Sequence, residues 1–241
     1  MLGRHLKLCE DSLTGSVFSH LLHLPADLFW QILRDACGNR SLPRTSGEPR
    51  AEFWPKWSAT GTDNSTYAEP DVFVRFTKFD LIIEAKRWDA DMQSVAQWQR
   101  QLNAYVYEHG DRRRPVIIIA LGTGRQVREQ QLSPSWPVAR ISADDARERP
   151  AAVCRIISCR WSAVLHRCRC TLSALQRIPH PSAQDSAHVR VLQHTIALFG
   201  WHGFPVGRWF ADFNFVNHRL RPSVADHLQL FQRRTDQLSR A

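Results

Sequence analysis

The sequence predicts an α/β fold, because apolar runs of strand length alternate with stretches that have helical spacing. Within residues 69–76, the side chains of Val72, Val74 and Phe76 recur with a period of two, which is typical of a strand. Residues 79–85 are almost continuously apolar, which indicates a strand buried on both faces. Residues 115–121 form another strongly apolar run and predict a further strand.

Three predicted helices accompany these strands, each with apolar residues three or four positions apart; they span residues 10–24, 26–37 and 92–108. Asp11 or Ser12 suits the N-cap of the first helix, and Asp91 suits that of the third. Residues 38–65 contain several prolines and glycines and are predicted as a long loop.

Two charged residues end the central apolar run. Side chains on a strand alternate between faces, so Glu84 and Lys86 project one way and Ala85 the other. Two residues between the first two strands are enough for a hairpin turn, so Asp71 on the neighbouring strand is expected to reach the same edge. A surface hairpin with an ordinary Glu–Lys pair is the simpler alternative. Glu84 follows a run too apolar to be exposed, however, and this favours a functional role.

Carboxylates a few ångströms apart repel one another unless a cation neutralises them. Asp71 and Glu84 offer hard oxygen ligands, which favour Mg²⁺ or Mn²⁺ over Zn²⁺. The compact ammonium group of Lys86 suits a role in orienting a water molecule or in stabilising negative charge at phosphorus. The pattern therefore predicts metal-dependent chemistry on a phosphodiester.

The third predicted helix presents a polar ridge. Gln97, Gln101 and Tyr105 occur at positions i, i+4 and i+8, so they share one helical face. The apolar Val95, Trp98, Leu102 and Val106 form a different stripe that suits packing on a sheet. The ridge is suited to contact a nucleic-acid backbone or a metal-bound water. A solvated polar face is the alternative.

The motifs are, in order, Pro70-Asp71, twelve intervening residues, Glu84-Ala85-Lys86 and the Gln101/Tyr105 pair. Together they resemble the PD-(D/E)XK nuclease superfamily. The glutamine and tyrosine four positions apart are similar to the QxxxY motif of its RecB-like branch. The resemblance implies a restriction-endonuclease-like core, in which a mixed central sheet is flanked by helices.

The resemblance also implies roles for individual residues. Asp71 and Glu84 would be metal ligands, assisted by the carbonyl group of Ala85, and Lys86 would be the catalytic lysine. Gln101 and Tyr105 would be accessory residues of the active site. A further acidic ligand is expected on the first helix, where Glu10 is the candidate and Asp11 or Glu69 are competitors.

The positive charge of the chain is concentrated towards its end. The net charge is +9, and residues 149–241 contain 13 arginines, four aspartates and neither lysine nor glutamate, so they account for all of it. We therefore predict a nuclease-like domain over residues 1–148 and a basic, mainly helical C-terminal extension over residues 149–241, which binds DNA phosphates or a partner protein. A solvated basic surface is the alternative.

Other segments give weaker signals. Arg112, Arg113 and Arg114 follow the third helix and suit phosphate contact, although a solvated turn is equally consistent with the pattern. Residues 151–178 are predicted as helical, with another helix at 188–199 and a closing helix at 220–241. The aromatic residues within 200–215 suit either a docking surface for a partner or a local core. A last strand is predicted at 136–141, followed by a helix capped by Ser142.

The six cysteines have no regular pairing and match no iron–sulfur ligand spacing, which indicates ordinary thiols in a reducing cytoplasm. No apolar run approaches 18 residues, so no membrane association is expected.

The sequence predicts a metal-dependent DNA nuclease in bacterial defence, restriction or repair; the choice of DNA follows the tendency of the family. The alternatives are an inactive nuclease-fold module that binds nucleic acid or protein, a structural adaptor, and a different phosphoesterase. No Walker motif or serine-hydrolase elbow supports the last of these.

Overall fold

The computed structural model describes residues 9–44, 47–59, 66–89, 93–109, 114–123, 130–132 and 154–206. The described residues up to Pro205 belong to one compact unit. Five helices lie within the described residues: α1 (Glu10–Leu21), α2 (Ala26–Cys37), α3 (Val95–His109), α4 (Trp161–Leu175) and α5 (Ala183–Trp201). The described strands are β1 (Arg50–Phe53), β2 (Trp57–Ser58), β3 (Tyr67–Ala68), β4 (Val72–Arg75), β5 (Asp80–Ala85), β6 (Val116–Leu121), β7 (Gln130–Leu132) and β8 (Cys154–Cys159).

A mixed six-stranded sheet forms the centre of the fold, in the order β1-β4-β5-β6-β8-β7. β5, β6 and β8 are parallel, whereas β1, β4 and β7 pair antiparallel with their neighbours. The short strands β2 and β3 form a separate antiparallel pair. The predicted α/β class is therefore confirmed, with a mixed sheet flanked by helices.

The central strands β5 and β6 are buried along their whole length. Continuous apolar runs suit this position, because a parallel strand in the middle of a sheet has no solvated face. The helix α3 packs on the sheet through Trp98, Leu102 and Val106, which share a hydrophobic cluster with side chains of β4, β5, β6 and β8. The predicted apolar stripe of α3 is thus confirmed except for Val95, which is exposed.

The remaining helices pack against one another: α5 contacts α1 and α4, while α2 contacts α4 and β8. An aromatic cluster occupies their shared interior. The ring of Trp161 at the start of α4 lies 5.9 Å from those of Phe18 on α1 and Phe199 on α5. Within the described part of the chain, no helix is both long enough and apolar enough to cross a lipid bilayer.

The segment after residue 150 differs from the prediction. Residues 151–178 were expected to be helical, but residues 154–159 form β8 and a helix begins only at Trp161. Periodicity cannot separate a short buried strand from a buried helical turn, and the β-branched pair Ile156 and Ile157 is the feature that favours the strand. Because β8 pairs with β6, the chain beyond the predicted boundary at residue 148 completes the same sheet.

The predicted loop at 38–65 and the predicted helix at 188–199 also differ from the structure. The predicted loop at 38–65 contains β1 and β2. The helix predicted at 188–199 is longer, since α5 begins at Ala183 behind the N-cap Ser182. Outside the described residues lie the predicted strand at 136–141, the helix that follows Ser142, the closing helix at 220–241 and the expected cap Asp91.

Candidate functional site

The pairing of β4 with β5 brings the first two predicted site residues together. Val72 lies opposite Ile83 in an antiparallel register, so Asp71 is placed beside Glu84. The backbone N–H of Ala85 donates to Oδ2 of Asp71 at 2.7 Å. Both carboxylates are buried at the end of the strands. The expectation that Asp71 reaches the edge occupied by Glu84 is confirmed.

Lys86 connects this edge to the first helix. Its Nζ lies 3.1 Å from Oε1 of Glu10 and 3.2 Å from Oε1 of Glu84, and it also donates to the carbonyl oxygen of Ala85 at 3.2 Å. Burial by itself would lower the pKa of Lys86, but the carboxylates of Glu84 and Glu10 outweigh this effect, so its pKa lies above the ordinary value. The lysine is therefore a cation held between two carboxylates.

The helix α3 fixes the carboxylate of Glu84 from the other side. Nε2 of Gln101 donates to Oε2 of Glu84 at 2.5 Å, and Nε2 of Gln97 donates to Oε1. Burial raises the pKa of Glu84, while the hydrogen bond from Gln101 and the charge of Lys86 act against that rise. Both oxygens of Glu84 therefore already have donors from the protein.

A group of carboxylate oxygens that could together hold a cation lies beside Glu84. Carboxylate oxygens of Glu10, Asp11 and Asp71 all lie within 4.8 Å of one another, and within the described residues this group does not include Glu84. Both acidic candidates of α1 belong to this group, since the first turn of the helix brings Glu10 and Asp11 to Asp71. Glu69 does not belong to this group.

Asp71 shows the electrostatic cost of this arrangement. Its pKa is raised to about 7, mainly by burial and further by repulsion from Glu84 and Glu10, although the N–H of Ala85 opposes the rise. A divalent cation bound there would offset the cost of burying the negative charge of Asp71 and would reduce its repulsion by the neighbouring carboxylates. The donors in the group are all carboxylate oxygens, and this chemistry fits Mg²⁺ or Mn²⁺.

Tyr105 lies at a different place from the one predicted. Its hydroxyl donates to Oδ2 of Asp80 at 2.7 Å, and Asp80 begins β5 whereas Glu84 lies near the end of that strand. Four residues of strand correspond to about 13 Å. Tyr105 therefore does not join Gln101 at Glu84. Burial raises the pKa of its hydroxyl well above the ordinary range, so it stays a hydrogen-bond donor.

Arg114 is likewise remote from Lys86. Its Nη2 lies 3.1 Å from Oδ1 of Asp80, and Nη2 of Arg75 lies 3.3 Å from Oδ2 of the same carboxylate. This pairing corrects the expectation that Arg114 lies near the active edge and contacts phosphate, since the guanidinium neutralises a buried carboxylate instead. Arg112 and Arg113 lie outside the described residues.

Sequence reasoning missed the residues that hold the backbone of the site. Nε2 of Gln93 donates to the carbonyl oxygens of Glu84 at 3.0 Å and Leu121 at 2.8 Å, and its Oε1 accepts from Nε1 of Trp98 at 2.9 Å. Gln93 lies four positions before Gln97 and two residues ahead of the start of α3, so it extends the i, i+4 spacing of polar residues in the sequence. That spacing was the one signal in the sequence that could have found it.

The start of α4 supports Lys86 from a third direction. Nε1 of Trp161 donates to the carbonyl oxygen of Lys86 at 2.7 Å. The carboxylate of Asp89 accepts from the backbone N–H groups of Trp161 at 2.6 Å and Ser162 at 3.1 Å, which satisfies the first donors of the helix. At Gly122, whose φ is +77°, a Cβ atom would lie 2.1 Å from the same carbonyl oxygen of Lys86. Only glycine fits there.

The sequence matches no protein-family model. It is 29% identical over 129 residues to an uncharacterized protein of Pasteurella multocida (strain Pm70). The match covers 51% of this chain, and the chain spans 47% of the length of that relative.

Proposed function

We propose that the protein is a metal-dependent nuclease with a PD-(D/E)XK core, which hydrolyses phosphodiester bonds in DNA. One observation carries the proposal: the ammonium group of Lys86 lies within 3.2 Å of both Glu84 and Glu10, beside the buried carboxylate of Asp71. The mixed sheet and the end of β5 give these residues the setting that the resemblance implies. A hydrogen-bond network supports this arrangement: Glu84 holds the ammonium group of Lys86, and Gln97 and Gln101 hold the carboxylate of Glu84.

The roles of the residues follow from their contacts. Asp71, Glu10 and Asp11 would hold the cation, which would supply a Lewis acid for a phosphoryl oxygen and lower the pKa of a bound water. Lys86 presents a positive charge towards a phosphate that carries developing negative charge. Glu84 holds this ammonium group in place, and Gln97 with Gln101 holds Glu84. Asp71 and Glu84 are buried, which strengthens the interactions that these two carboxylates make.

The basic C-terminal third is the proposed contact surface for DNA or for a partner protein. Its 13 arginines exceed its four aspartates, whereas the first 148 residues are neutral overall. Contacts with phosphates would make binding weaken as the salt concentration rises. A nuclease of this kind would suit bacterial defence, restriction or repair.

The decisive experiment is cleavage of supercoiled plasmid and linear DNA with Mg²⁺ or Mn²⁺, and again with EDTA. The test variant is Lys86→Ala, and Lys78→Ala is its matched control, because Lys78 is an exposed lysine in the turn before β5. We expect metal-dependent cleavage that falls about 100-fold or more in Lys86→Ala and changes less than about twofold in Lys78→Ala. Nicked plasmid would identify an endonuclease.

Circular dichroism and thermal unfolding show whether each variant is folded. Folded wild-type protein that binds Mn²⁺ without cutting any DNA would overturn the nuclease and favour a module that binds nucleic acid or protein. Equal cleavage by wild type and Lys86→Ala would instead exclude the proposed role of the lysine.

A further inference from the structure

A basic cavity of about 540 Å³ lies between the end of α2, the loop that follows it, and α4. None of its residues belongs to the metal-ligand group or to the network around Glu84. Its lining includes Arg34, Asp35, Asn39, Arg40, Arg44 and Arg167.

The charges around this cavity do not balance. Arg34 is paired with Asp35 at 3.0 Å. In the described parts of the chain, the guanidinium groups of Arg40, Arg44 and Arg167 form no ion pair with a carboxylate. The C-terminal end of α2 contributes about half a negative charge. Four arginines facing one aspartate and one helix end therefore leave at least about two positive charges.

The loop that carries Arg40 and Arg44 is held in a defined conformation. Oδ1 of Asn39 accepts from the backbone N–H of Ser41 at 2.9 Å, and Arg155 donates to the carbonyl oxygen of Ser41 at 3.1 Å. Nε1 of Trp30 donates to the carbonyl oxygen of Pro43 at 2.7 Å. These bonds attach Ser41 to β8 and Pro43 to α2, so the backbone that carries Arg40 and Arg44 is preorganised.

Another pair of arginines in the described fold differs from those around the cavity because its charges are neutralised by a buried carboxylate. Arg75 and Arg114 share the buried carboxylate of Asp80, so their charges are neutralised within the protein. Around the cavity, Arg167 on α4 and the arginines of the loop after α2 line the same space. An anion that enters this space would reduce their mutual repulsion. Guanidinium groups bind phosphate oxygens through paired hydrogen bonds, which makes phosphate the best match for such a set.

We propose that this cavity binds the phosphate groups of a nucleotide, either free or as part of a nucleic-acid strand. Its volume falls within the range of about 300–1,000 Å³ that is usual for small-molecule sites, and it is large enough for a nucleotide. The site is independent of the proposed nuclease activity, since binding there needs neither the metal ligands nor Lys86.

The test is equilibrium binding to the full chain in EDTA, so that the metal-ligand group contributes nothing. The probes are ATP, inorganic pyrophosphate and a short single-stranded oligonucleotide with a 5′ phosphate, each at the same ionic strength. The variants are Arg44→Ala, Arg167→Ala and Arg167→Glu. Arg190→Ala on α5 is the matched control, because it removes the same charge from an exposed position outside the cavity.

We expect wild-type protein to bind at least one nucleotide probe, with an affinity about tenfold weaker in each alanine variant and lost in Arg167→Glu. Arg190→Ala should change the affinity less than about twofold. Loss confined to ATP and pyrophosphate identifies a free nucleotide as the ligand, whereas loss for the oligonucleotide identifies a strand. If the cavity variants bind all three probes as the control does, or if wild type binds none of them, the site is excluded.

Discussion

Gln101 and Tyr105 lie one turn apart on α3, yet their side chains bind two different carboxylates of β5. Gln101 donates to Glu84 near the end of the strand, and Tyr105 donates to Asp80 at its beginning. The helix is thus attached to the central strand at two points. One attachment belongs to the candidate site, and the other fixes the position of the helix along the strand.

Substitution of these two residues should therefore give different results. We expect Gln101→Ala to lower cleavage by about tenfold or more, because Glu84 loses a donor at its buried carboxylate. Tyr105→Phe should reduce the free energy of unfolding by about 1–3 kcal/mol, because Asp80 loses a hydrogen bond, and should leave the affinity for Mn²⁺ unchanged. Urea unfolding and calorimetric Mn²⁺ titration measure the two effects. A Tyr105→Phe variant of normal stability that has lost activity would place the tyrosine in the site after all.

The acidic residues in the first turn of α1 offer a test of the ligand set. Asp11→Asn removes a charged ligand from the group formed with Glu10 and Asp71, so we expect the affinity for Mn²⁺ to fall about tenfold or more. Glu69→Gln is the control, since that carboxylate lies outside the group and its loss should change the affinity less than about twofold. Electron paramagnetic resonance of free Mn²⁺ gives both affinities. Equal affinities in wild type and Asp11→Asn would remove Asp11 from the set.

Asp71 should make the metal-free protein less stable as the pH rises. Its pKa of about 7 in the folded state exceeds the ordinary value of 3.8, so the folded state binds more protons between these values and the free energy of unfolding falls across that interval. Asp71→Asn removes the titrating carboxyl group and with it this contribution to the pH dependence of the free energy of unfolding. At pH 8 in EDTA we expect the variant to be more stable than wild type by about 1–4 kcal/mol, since one pKa unit corresponds to about 1.4 kcal/mol.

Near pH 4 the stabilities of the two proteins should converge, because the carboxyl group is then largely protonated in the folded protein. Excess Mg²⁺ at pH 8 should reverse the order by stabilising wild type alone. Urea unfolding at both pH values, with and without metal, covers all four conditions. A difference between wild type and Asp71→Asn that does not change with pH would contradict the raised pKa.

Two glycines with positive φ separate steric from conformational effects. Gly122→Ala and Gly38→Ala both place a side chain in a left-handed conformation, with φ of +77° and +65°. Only at Gly122 does the new Cβ meet an obstacle, the carbonyl oxygen of Lys86. We expect Gly122→Ala to lower the free energy of unfolding by about 1–3 kcal/mol more than Gly38→Ala, and also to reduce cleavage. Similar losses in the two variants would show that the backbone around Lys86 adapts to the added carbon.

The cluster of Asp71, Glu84 and Lys86 could be predicted because its geometry is local. A two-residue connection and a period of two are enough to place Asp71 beside Glu84, and no distant part of the chain is needed. The position of Tyr105 could not be predicted in this way. Helical spacing shows that it shares a face with Gln101, but it does not show which end of β5 lies beneath it.

The missed features depend on contacts between distant segments. Trp161 and Gly122 surround the carbonyl oxygen of Lys86, although they lie far from it in the sequence. Arg114 follows the helix like a phosphate-binding residue, and only the buried position of Asp80 shows that its charge is used internally. The strand β8 was misassigned because six mostly apolar residues fit a helix and a buried strand equally well.

The order of the sheet has a consequence for assembly, since β8 lies between β6 and β7 but follows both in the chain. Until β8 arrives, β6 has an open edge of unpaired backbone groups along an isoleucine-rich strand. Such an edge is a template for pairing with another copy of the chain. A shortened protein that ends at residue 148 should therefore aggregate, and during synthesis the sheet stays vulnerable until residue 159 has left the ribosome.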